Sequence, residues 1–370
     1  MTDQKLNILI AGGKTGGHLF PGIAIAQALI FADTHVRILF AGLGTDFETR
    51  VTKSFGFDHA KLYSRPIKGK NPLSLIFSLA IIPISIIQAL MIINKFKPSM
   101  VIGTGGYSSF AVVIAAWFIG IKTGIQEQNT IPGLTNRMLS KIANVIFLNF
   151  KTTKLLSDKK TAIHTGNPVR KIEQKKFSSA DLTKLIDKNK FTILISGGSQ
   201  GASSINKAVV EAFRIMNNLE SYNIIHQTGQ NDEKEIQKQY SKLNINNIIV
   251  KAFFNNLGLF QDMANLIISR AGAGTISEIN LKGLPSILIP YPYAADDHQT
   301  SNAEELEKVN AAIIIKDQDI DGKVIKQHIE SLKANKELLI SMGKASLKLA
   351  KPDADQKIAT HILKMISDRN

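Results

Sequence analysis

The sequence predicts an α/β protein built from two Rossmann-like domains, each with a parallel sheet. Short β-branched apolar runs alternate with helix-like segments along the chain, a pattern typical of parallel strands covered by helices on both faces. Glycine-rich turns follow these runs in both halves, which is where open parallel sheets bind ligands. We therefore expect a substrate cleft between the two domains.

The predicted strands form two sets, separated by a break. The first set is LNILIA, VRILFAG, MVIGTG, KTGIQEQ and NVIFLNF, and the second is FTILISGG, YNIIHQTG, NNIIVKAFF, NLIISRAG and PSILIPYP. Between them, the glycine and proline of TGNPVRK interrupt the alternation. We expect an N-terminal domain over residues 1–166, a second domain over 167–340, and C-terminal helices in 341–370 that pack back towards the first domain.

The composition indicates a globular protein with an anionic partner. The chain has 370 residues, of which 44% are hydrophobic, enough for two sizeable cores. It has no cysteine, which excludes a disulfide framework, a thiol nucleophile and cysteine-bound zinc. A net charge of +15 favours attraction to an acidic membrane face or a diphosphate substrate. Nucleic acid is the least favoured partner, because no nucleic-acid-binding signature occurs.

One apolar segment, PLSLIFSLAIIPISIIQALMII, is long enough to cross a bilayer. Residues 71–94 carry no charge, but a proline lies mid-segment and lysines flank both ends. Crossing would also separate strands that one sheet needs. We expect instead a helix that docks on a membrane surface or is buried, and in the buried alternative Ile81, Ile84, Ile87 and Met91 face the sheet.

The turn AGGKTGGHLFPG contains a Gly-Lys-Thr triplet without being a nucleotide P-loop. That motif needs a glycine five positions before Gly13, where the chain has Ile8. The dinucleotide fingerprint is absent as well, because no G-x-G-x-x-G fits and the second strand does not end in an acidic residue. What remains is a turn that brings backbone N–H groups close to a ligand. His18 is the only histidine of this turn. A lone histidine is more often structural than catalytic, but the surrounding glycines leave a structural and a functional role equally open.

Three segments of the second half suit a nucleotide sugar. GGSQGA follows a strand and opens a helix, as phosphate-binding turns do, although a tight turn without a ligand looks the same. RAGAGTISE places Glu278 early in a helix. There its carboxylate either accepts hydrogen bonds from ribose hydroxyls or only interacts favourably with the positive end of the helix dipole. PYPYAADDHQTSNA gathers Gln299 with other polar side chains, which suits a hydroxyl-rich ligand or an ordinary helix cap.

DQDIDG mimics a calcium loop but has His328 in place of the required glutamate, so we expect a surface loop.

Together, these motifs resemble the MurG family, the UDP-N-acetylglucosamine:lipid I N-acetylglucosaminyltransferases of bacterial peptidoglycan synthesis. The matching pieces follow the family's order: TGGHLFPGIAIA, GTGGYSS, QEQNTIPGLTNR, TGNPVR, GGSQGA, HQTG, RAGAGTISE and DDHQTSNA. The resemblance implies a GT-B fold and an inverting transfer of N-acetylglucosamine from UDP-GlcNAc to the C4 hydroxyl of the MurNAc-pentapeptide of lipid I, giving lipid II. It implies no metal and no other cofactor.

The resemblance also implies where the protein acts and with which partners. It places the enzyme peripherally on the cytoplasmic face of the bacterial inner membrane. Its partners would be UDP-N-acetylglucosamine, lipid I, the anionic membrane surface and other proteins of cell-wall synthesis, and not nucleic acid. The donor would bind the second domain, and the lipid diphosphate would lie near the glycine turns of the first.

Site residues follow from the resemblance at matching positions. His18 would be the base on the acceptor side, with Tyr107 and Glu127 as the other catalytic candidates near it. The implied substrate contacts are Thr15, Gly16, Gly17, Asn129, Arg170, Ser199, Gln200, Phe254, Ala273, Thr275, Glu278 and Gln299. Among these, Phe254 would lie beside the uracil.

Two positions depart from the family pattern. Lys14 is an extra residue in a loop that usually reads GGTGGH, and Gln126 stands where the family commonly has the histidine of HEQN. The second departure argues against an essential protonated group at that position. Two other functions fit the motifs: another GT-B enzyme acting on a UDP-sugar, such as a lipid glycosyltransferase or a UDP-GlcNAc epimerase, and a non-catalytic protein that binds a nucleotide sugar.

Overall fold

A computed structural model describes residues 6–64, 72–171, 186–198, 200–243 and 247–368, without the side chains of 72–79. Of the sequence-predicted site residues, Ser199 lies outside these ranges. The chain divides into two compact units. The first comprises Met1–Lys171 with Lys351–Asn370, and the second is Ile172–Ala350.

The first unit is built on a parallel sheet of seven strands in the order β3-β2-β1-β4-β5-β6-β7. These strands are β1 (Asn7–Ala11), β2 (Arg37–Gly42), β3 (Asp58–Lys61), β4 (Met100–Gly103), β5 (Lys122–Glu127), β6 (Val145–Leu148) and β7 (Ala162–His164). Alternate residues of β1 enter opposite cores, with Ile8 and Ile10 on one face and Leu9 and Ala11 on the other. Both faces are buried, which is why the strand reads as a continuous apolar run.

Helices cover both faces of this sheet. They are α1 (Gly16–Ala32), α2 (Asp46–Ser54), α3 (Pro72–Phe96), α4 (Tyr107–Phe118) and α5 (Leu134–Leu139). Within the described residues, no helix combines the length and the apolar character needed to cross a bilayer.

The sequence left open that α3 is a buried helix with Ile81, Ile84, Ile87 and Met91 facing the sheet. The structure buries a different stripe of this helix. Ser85, Ala89 and Ile93 are buried against the first unit. Ile84, Ile87 and Met91 are 51%, 58% and 66% exposed, so the expectation that they face the sheet is wrong. The physical reason is that two of these three buried residues, Ser85 and Ala89, are small and let the helix approach closely, which turns the larger side chains outward.

The second unit repeats the architecture with six parallel strands in the order β10-β9-β8-β11-β12-β13. The strands are β8 (Phe191–Ser196), β9 (Tyr222–Gln227), β10 (Ile248–Lys251), β11 (Leu266–Ser269), β12 (Ser286–Leu288) and β13 (Ala312–Ile314). The helices are α6 (Ser203–Ile215), α7 (Glu233–Tyr240), α8 (Leu257–Gln261), α9 (Ala273–Lys282), α10 (His298–Glu307), α11 (Gly322–Ala334) and α12 (Lys336–Leu349). The DQDIDG segment leads into α11, where the Asp321 side chain caps the helix by accepting the Val324 N–H at 2.8 Å.

The last helix, α13 (Ala354–Ser367), belongs to the first unit. It packs on α1, and its residues Ile358, Ala359 and Ile362 are buried in the same core as Ile8 and Ile10 of β1. The first unit is therefore completed by a segment that follows the second unit in the chain.

In each sheet the strand order reverses beside the first strand, between β1 and β4 and between β8 and β11. Loops that leave the carboxyl ends of parallel strands diverge at such a reversal and open a crevice suited to ligands. The four predicted glycine turns follow these four strands, so each pair lies at the reversal of its own sheet.

Candidate active site

His18 lies in the first turn of α1, beside the β1–β4 reversal. Its Nδ1 is 3.0 Å from the carbonyl oxygen of Thr104, which follows β4. Because a carbonyl only accepts, Nδ1 carries a ring proton, and in the neutral imidazole this leaves the lone pair on Nε2. The imidazole packs on Gly105, where a Cβ would lie 2.6 Å from Nδ1. The second glycine turn thus fixes both the orientation and the tautomer of His18.

The start of α1 presents the small residues that precede His18. Thr15 is the N-cap, and its side chain makes no capping hydrogen bond. Thr15 and Gly17 are exposed, and Gly16 is half-buried. The first N–H groups of a helix have no partner within it and carry partial positive charge, so this end suits an anion. Tyr107 occupies the matching place as the first residue of α4.

A chain of buried amides extends from the His18 contact. The side chain of Gln128 donates to the Thr104 carbonyl at 2.7 Å and also to the side-chain oxygen of Gln126. Gln126 in turn donates to the side-chain oxygen of Asn167 at 3.1 Å. All three amides are at least 97% buried. The interaction made by Gln126 needs no charge at the position where the family commonly has histidine.

Glu127 ends β5 and is occupied by the loop that follows it. One carboxylate oxygen accepts the backbone and side-chain N–H groups of Asn129, at 2.9 and 3.3 Å. The other accepts the Gly133 N–H at 3.1 Å and the Asn136 side chain at 2.9 Å. Burial raises the pKa of Glu127, while these hydrogen bonds act in the opposite direction. The arrangement holds the half-buried Asn129 at the carboxyl edge of the sheet.

Sequence reasoning missed a second buried carboxylate, Glu48 of α2. It accepts the Lys14 N–H on one oxygen and the Thr45 N–H, at 3.0 Å, on the other. His59 lies beside it, with Nε2 3.9 Å from Glu48 Oε2. Burial lowers the pKa of His59 and the charge of Glu48 opposes that effect. The available signal was the capping-box spacing of TDFE, which places a glutamate three residues after an N-cap threonine.

Arg170 lies at the end of the first unit, where its half-buried guanidinium stacks on an aromatic ring. Its Cζ is 3.6 Å from the ring centroid of Phe20, on α1. Sequence reasoning named Arg170 but not Phe20.

In the second unit, the GGSQGA turn is held against the HQTG motif. A Cβ on Gly201 would lie 2.0 Å from the Thr228 carbonyl oxygen, so only glycine permits this approach. The Gln227 side chain donates to the Ser196 hydroxyl at 3.2 Å and to the Gly198 carbonyl at 3.0 Å. Gln200 is exposed on the turn.

The interior behind this turn is a polar network centred on His226, which is wholly buried. Its Nε2 is 2.9 Å from the Asn206 side-chain oxygen and its Nδ1 is 2.9 Å from the Tyr240 hydroxyl. Asn206 donates to Asp232 at 2.8 Å and to the Thr228 carbonyl at 2.9 Å. Burial lowers the pKa of His226 to about 3, against the opposing charge of Asp232. The histidine is a neutral structural group.

The other expected donor contacts follow β11 and β12. Ala273 is the first residue of α9, and Thr275 and Glu278 are half-buried on the same helix. Glu278 accepts a hydrogen bond from the Gln261 side chain at 3.2 Å. Gln299, in the first turn of α10, accepts the Tyr291 N–H at 3.0 Å. Ala273 and Thr275 thus lie in the first turn of α9, Glu278 lies further along the same helix, and Gln299 lies in the first turn of α10.

Two residues of this region are packed into the fold. Phe254 is 5% exposed, and its ring centroid lies 4.6 Å from that of Phe260. Its neighbour Phe253 is 45% exposed, which makes Phe253 the outward-facing ring of the pair. Arg270 pairs with Asp317 at 2.5 Å and also donates to the Ile289 carbonyl and to the Ser204 hydroxyl, at 3.2 and 3.0 Å.

Comparisons with known proteins cover nearly the whole chain. The Glycosyltransferase family 28 N-terminal domain matches residues 8–148, and the Glycosyltransferase family 28 C-terminal domain matches residues 192–358. A protein of Syntrophus aciditrophicus is 39% identical, over 98% of this chain and 99% of its own length. A protein of Myxococcus xanthus is 36% identical, over 96% of this chain and 91% of its own length.

Both relatives are named UDP-N-acetylglucosamine–N-acetylmuramyl-(pentapeptide) pyrophosphoryl-undecaprenol N-acetylglucosamine transferase. Among solved structures, the chain is similar to MurG of Acinetobacter baumannii, with a TM-score of 0.76 at 29% identity. That match covers 97% of this chain and 100% of the other. The two parallel-sheet units are those of a GT-B fold.

Proposed function

Because the chain belongs to glycosyltransferase family 28, we propose that it transfers N-acetylglucosamine from UDP-N-acetylglucosamine to lipid I, giving the lipid II of peptidoglycan synthesis. Relatives of nearly the same length, named for this transfer, support the proposal. The structural observation that carries it is the fixed tautomer of His18 at the β1–β4 reversal.

The reaction follows from that geometry. The C4 hydroxyl of the acceptor sugar attacks C1 of N-acetylglucosamine on the face opposite UDP, which inverts the configuration. The acceptor oxygen bonds to C1, the bond between C1 and the diphosphate oxygen breaks, and UDP leaves with that electron pair. The hydroxyl proton passes to Nε2 of His18, the ring nitrogen that holds the lone pair.

Charge that develops on the UDP leaving group needs stabilisation without a metal. The starts of α6 and α9 offer N–H groups and partial positive charge, and Arg170 offers a fixed cation. We assign donor binding to the second domain, residues 167–340, with Glu278 accepting ribose hydroxyls and Gln299 facing the sugar. We assign the acceptor diphosphate to the turns of the first domain, residues 1–166.

Glu127 is given a positioning role in this scheme. Its carboxylate accepts four N–H groups, three from the loop that carries Asn129 and one from the Asn136 side chain on α5. A carboxylate engaged in this way holds a loop more readily than it exchanges protons with a substrate. Tyr107, the first residue of α4, keeps the role of the aromatic hydroxyl on the acceptor side.

For localisation, the proposal is peripheral attachment to the cytoplasmic face of the inner membrane through α3. The supporting observations are the exposed stripe of Ile84, Ile87 and Met91 and the exposed lysines Lys95 and Lys97 at the helix end. A net charge of +15 adds attraction to anionic lipid. Apolar insertion combined with basic attraction gives usable attachment where either alone is weak.

The decisive experiment incubates the purified protein with labelled UDP-GlcNAc and lipid I. We expect a labelled disaccharide lipid, with turnover lowered about 10²–10⁴-fold in His18→Ala if the imidazole is the general base. His35→Ala, which changes an exposed histidine, is the matched control. Release of an epimerised or free sugar without a disaccharide lipid, or binding of UDP-GlcNAc without turnover, would contradict the proposal.

A further inference from the structure

The side chain of Asn206 joins the start of α6 to the HQTG segment, within the second unit. Asn206 is wholly buried in the first turn of α6, and its amide donates to the Thr228 carbonyl at 2.9 Å and to the Asp232 carboxylate at 2.8 Å. Asp232 also accepts the hydroxyl of Ser203, the first residue of α6, at 2.6 Å. Because both acceptors face the amide nitrogen, the amide oxygen is left for His226.

The direction of each hydrogen bond in this buried chain follows from its neighbour. An amide oxygen only accepts, so Nε2 of His226, 2.9 Å from the Asn206 oxygen, carries a proton. In the neutral imidazole Nδ1 then holds the lone pair, and it accepts the Tyr240 hydroxyl at 2.9 Å. Donation therefore runs one way, from Tyr240 through His226 and Asn206 to the Thr228 carbonyl.

The Thr228 carbonyl is in direct contact with the backbone that leads into α6. A Cβ on Gly201 would lie 2.0 Å from the Thr228 oxygen, and a Cβ on Gly229 would lie 2.3 Å from the Gln200 oxygen. Both glycines have positive φ, at 79° and 82°. The two backbone segments thus touch without a side chain between them. A rotation of the Thr228 peptide would pass directly to Gly201, which lies shortly before the first residue of α6.

We propose that Tyr240, His226 and Asn206 are positioning residues for the diphosphate of the nucleotide sugar. They fix the Thr228 carbonyl, and through it the backbone N–H groups at the start of α6 that bind the phosphates. All three side chains are buried, so they act through the backbone and not by touching the ligand. This inference rests on the proposed function, because it takes UDP-GlcNAc as a donor that the second unit binds.

The first test removes only the hydroxyl at the far end of the chain. We expect Tyr240→Phe to raise the Kd for UDP in calorimetry and the KM for UDP-GlcNAc about 2–10-fold, the range that corresponds to one hydrogen bond. The KM for lipid I should stay unchanged, which a general loss of stability would not produce. Tyr222→Phe is the matched control, because it removes a tyrosine hydroxyl from the same core at the first residue of β9. It should bind UDP like the wild type.

A double-mutant cycle tests whether the effect passes through Asn206. In the Asn206→Ala background, Tyr240→Phe should cause no further loss of UDP affinity. His226→Gln keeps one N–H donor and one acceptor in its side chain, so it should bind UDP more tightly than His226→Leu, which has neither. A third measurement needs no variant: ¹⁵N NMR of the wild type should show the ring proton of His226 on Nε2.

Four results would overturn the inference. They are wild-type UDP affinity in Tyr240→Phe, an equal loss with and without Asn206, a ring proton on Nδ1 of His226, and a wild type that does not bind UDP. Failure of the proposed function looks different. The wild type would then bind UDP and the three variants would rank as expected, but no disaccharide lipid would form.

Discussion

The backbone N–H of Lys14 donates a hydrogen bond to the carboxylate of Glu48, a side chain that is wholly buried beneath the first glycine turn. Lys14 has a φ of 68°, in the left-handed region that a lysine rarely adopts. Gly13 lies directly on the carboxylate, where a Cβ would be 2.1 Å from Oε1. The residue that is extra relative to the family pattern is therefore accommodated by a carboxylate on the neighbouring helix.

Removal of that carboxylate should loosen the turn that carries His18. We expect Glu48→Ala to lower the free energy of unfolding by about 1–3 kcal/mol, because the buried N–H groups of Lys14 and Thr45 lose their acceptor. We also expect a lower kcat. Thr45→Ala is the control, since it removes the capping hydroxyl, at a cost of about 1 kcal/mol, but keeps the bond from Lys14. Chemical denaturation and steady-state kinetics give both quantities, and an unchanged kcat in folded Glu48→Ala would count against this role.

The positioning role of Glu127 predicts a particular kinetic signature. Glu127→Gln places an amide NH₂ opposite the Gly133 N–H and the Asn136 side chain, which themselves donate hydrogen bonds. The variant should therefore have a lower free energy of unfolding and a lower kcat. If Glu127 only positions the loop, the pH profile of kcat/KM keeps its shape at a lower level. Loss of one limb of that profile in the variant would instead identify Glu127 as a group that exchanges a proton.

The buried imidazole of His226 should make the second unit sensitive to acid. Its pKa falls from 6.5 to about 3 on folding. Between these values the unfolded chain binds a proton that the folded chain does not, so stability falls as pH is lowered through this window. The slope from this group approaches about 1.4 kcal/mol per pH unit.

The measurement is urea unfolding of the wild type and His226→Gln between pH 7 and pH 4. The difference between the two profiles isolates this group from other histidines and from carboxylates. We expect the wild type to lose more stability than the variant on acidification. His35→Gln, which changes an exposed histidine, should follow the wild type, and parallel profiles for His226→Gln and the wild type would refute the assignment.

Membrane attachment through α3 is tested with a triple replacement of Ile84, Ile87 and Met91 by serine. Binding of the wild type to anionic vesicles should weaken as salt rises, because part of the attraction is electrostatic. The triple variant should bind at least about tenfold more weakly, since one buried aliphatic side chain contributes about 1.5–3 kcal/mol. The side chains of Leu75, Ile76 and Leu79 lie outside the described residues and are left unchanged.

The control for this experiment replaces Ile340 and Leu347 of α12 by serine, because these side chains are similarly exposed, at 57% and 52%, on the second unit. It should bind vesicles like the wild type. Equal binding by the triple variant and the wild type would refute attachment through this stripe. Extraction by detergent alone, with protease access from both faces of sealed vesicles, would show that α3 crosses the membrane.

The central strands could be predicted from the sequence, whereas three others could not. β1, β4 and β8 are buried on both faces and read as apolar runs. β3, β7 and β13 each lie at an edge of a sheet, with sequences DHAK, AIH and AII. An edge strand has fewer neighbours to cover it and needs no long apolar run, so its sequence carries little signal.

The glycine turns of the candidate site could be predicted because close backbone approach restricts the residue type at each position. The residues that the side chains of the site contact could not be predicted. Glu48 contacts a turn 34 residues earlier in the chain, and Phe20 meets Arg170 across most of the first unit. Such contacts depend on how helices pack on the sheet, and no local spacing in the sequence encodes them.

The return of α13 to the first unit also sets an order of events during synthesis. The core around Ile8 and Ile10 includes Ile358 and Ile362, so the ribosome must make all of residues 172–350 before that core can close. At about 5–20 residues per second, this interval lasts roughly 10–40 s. During that time the apolar face of α1 that α13 later covers has no permanent neighbour, and the nascent chain is most exposed to misassembly and most in need of chaperones.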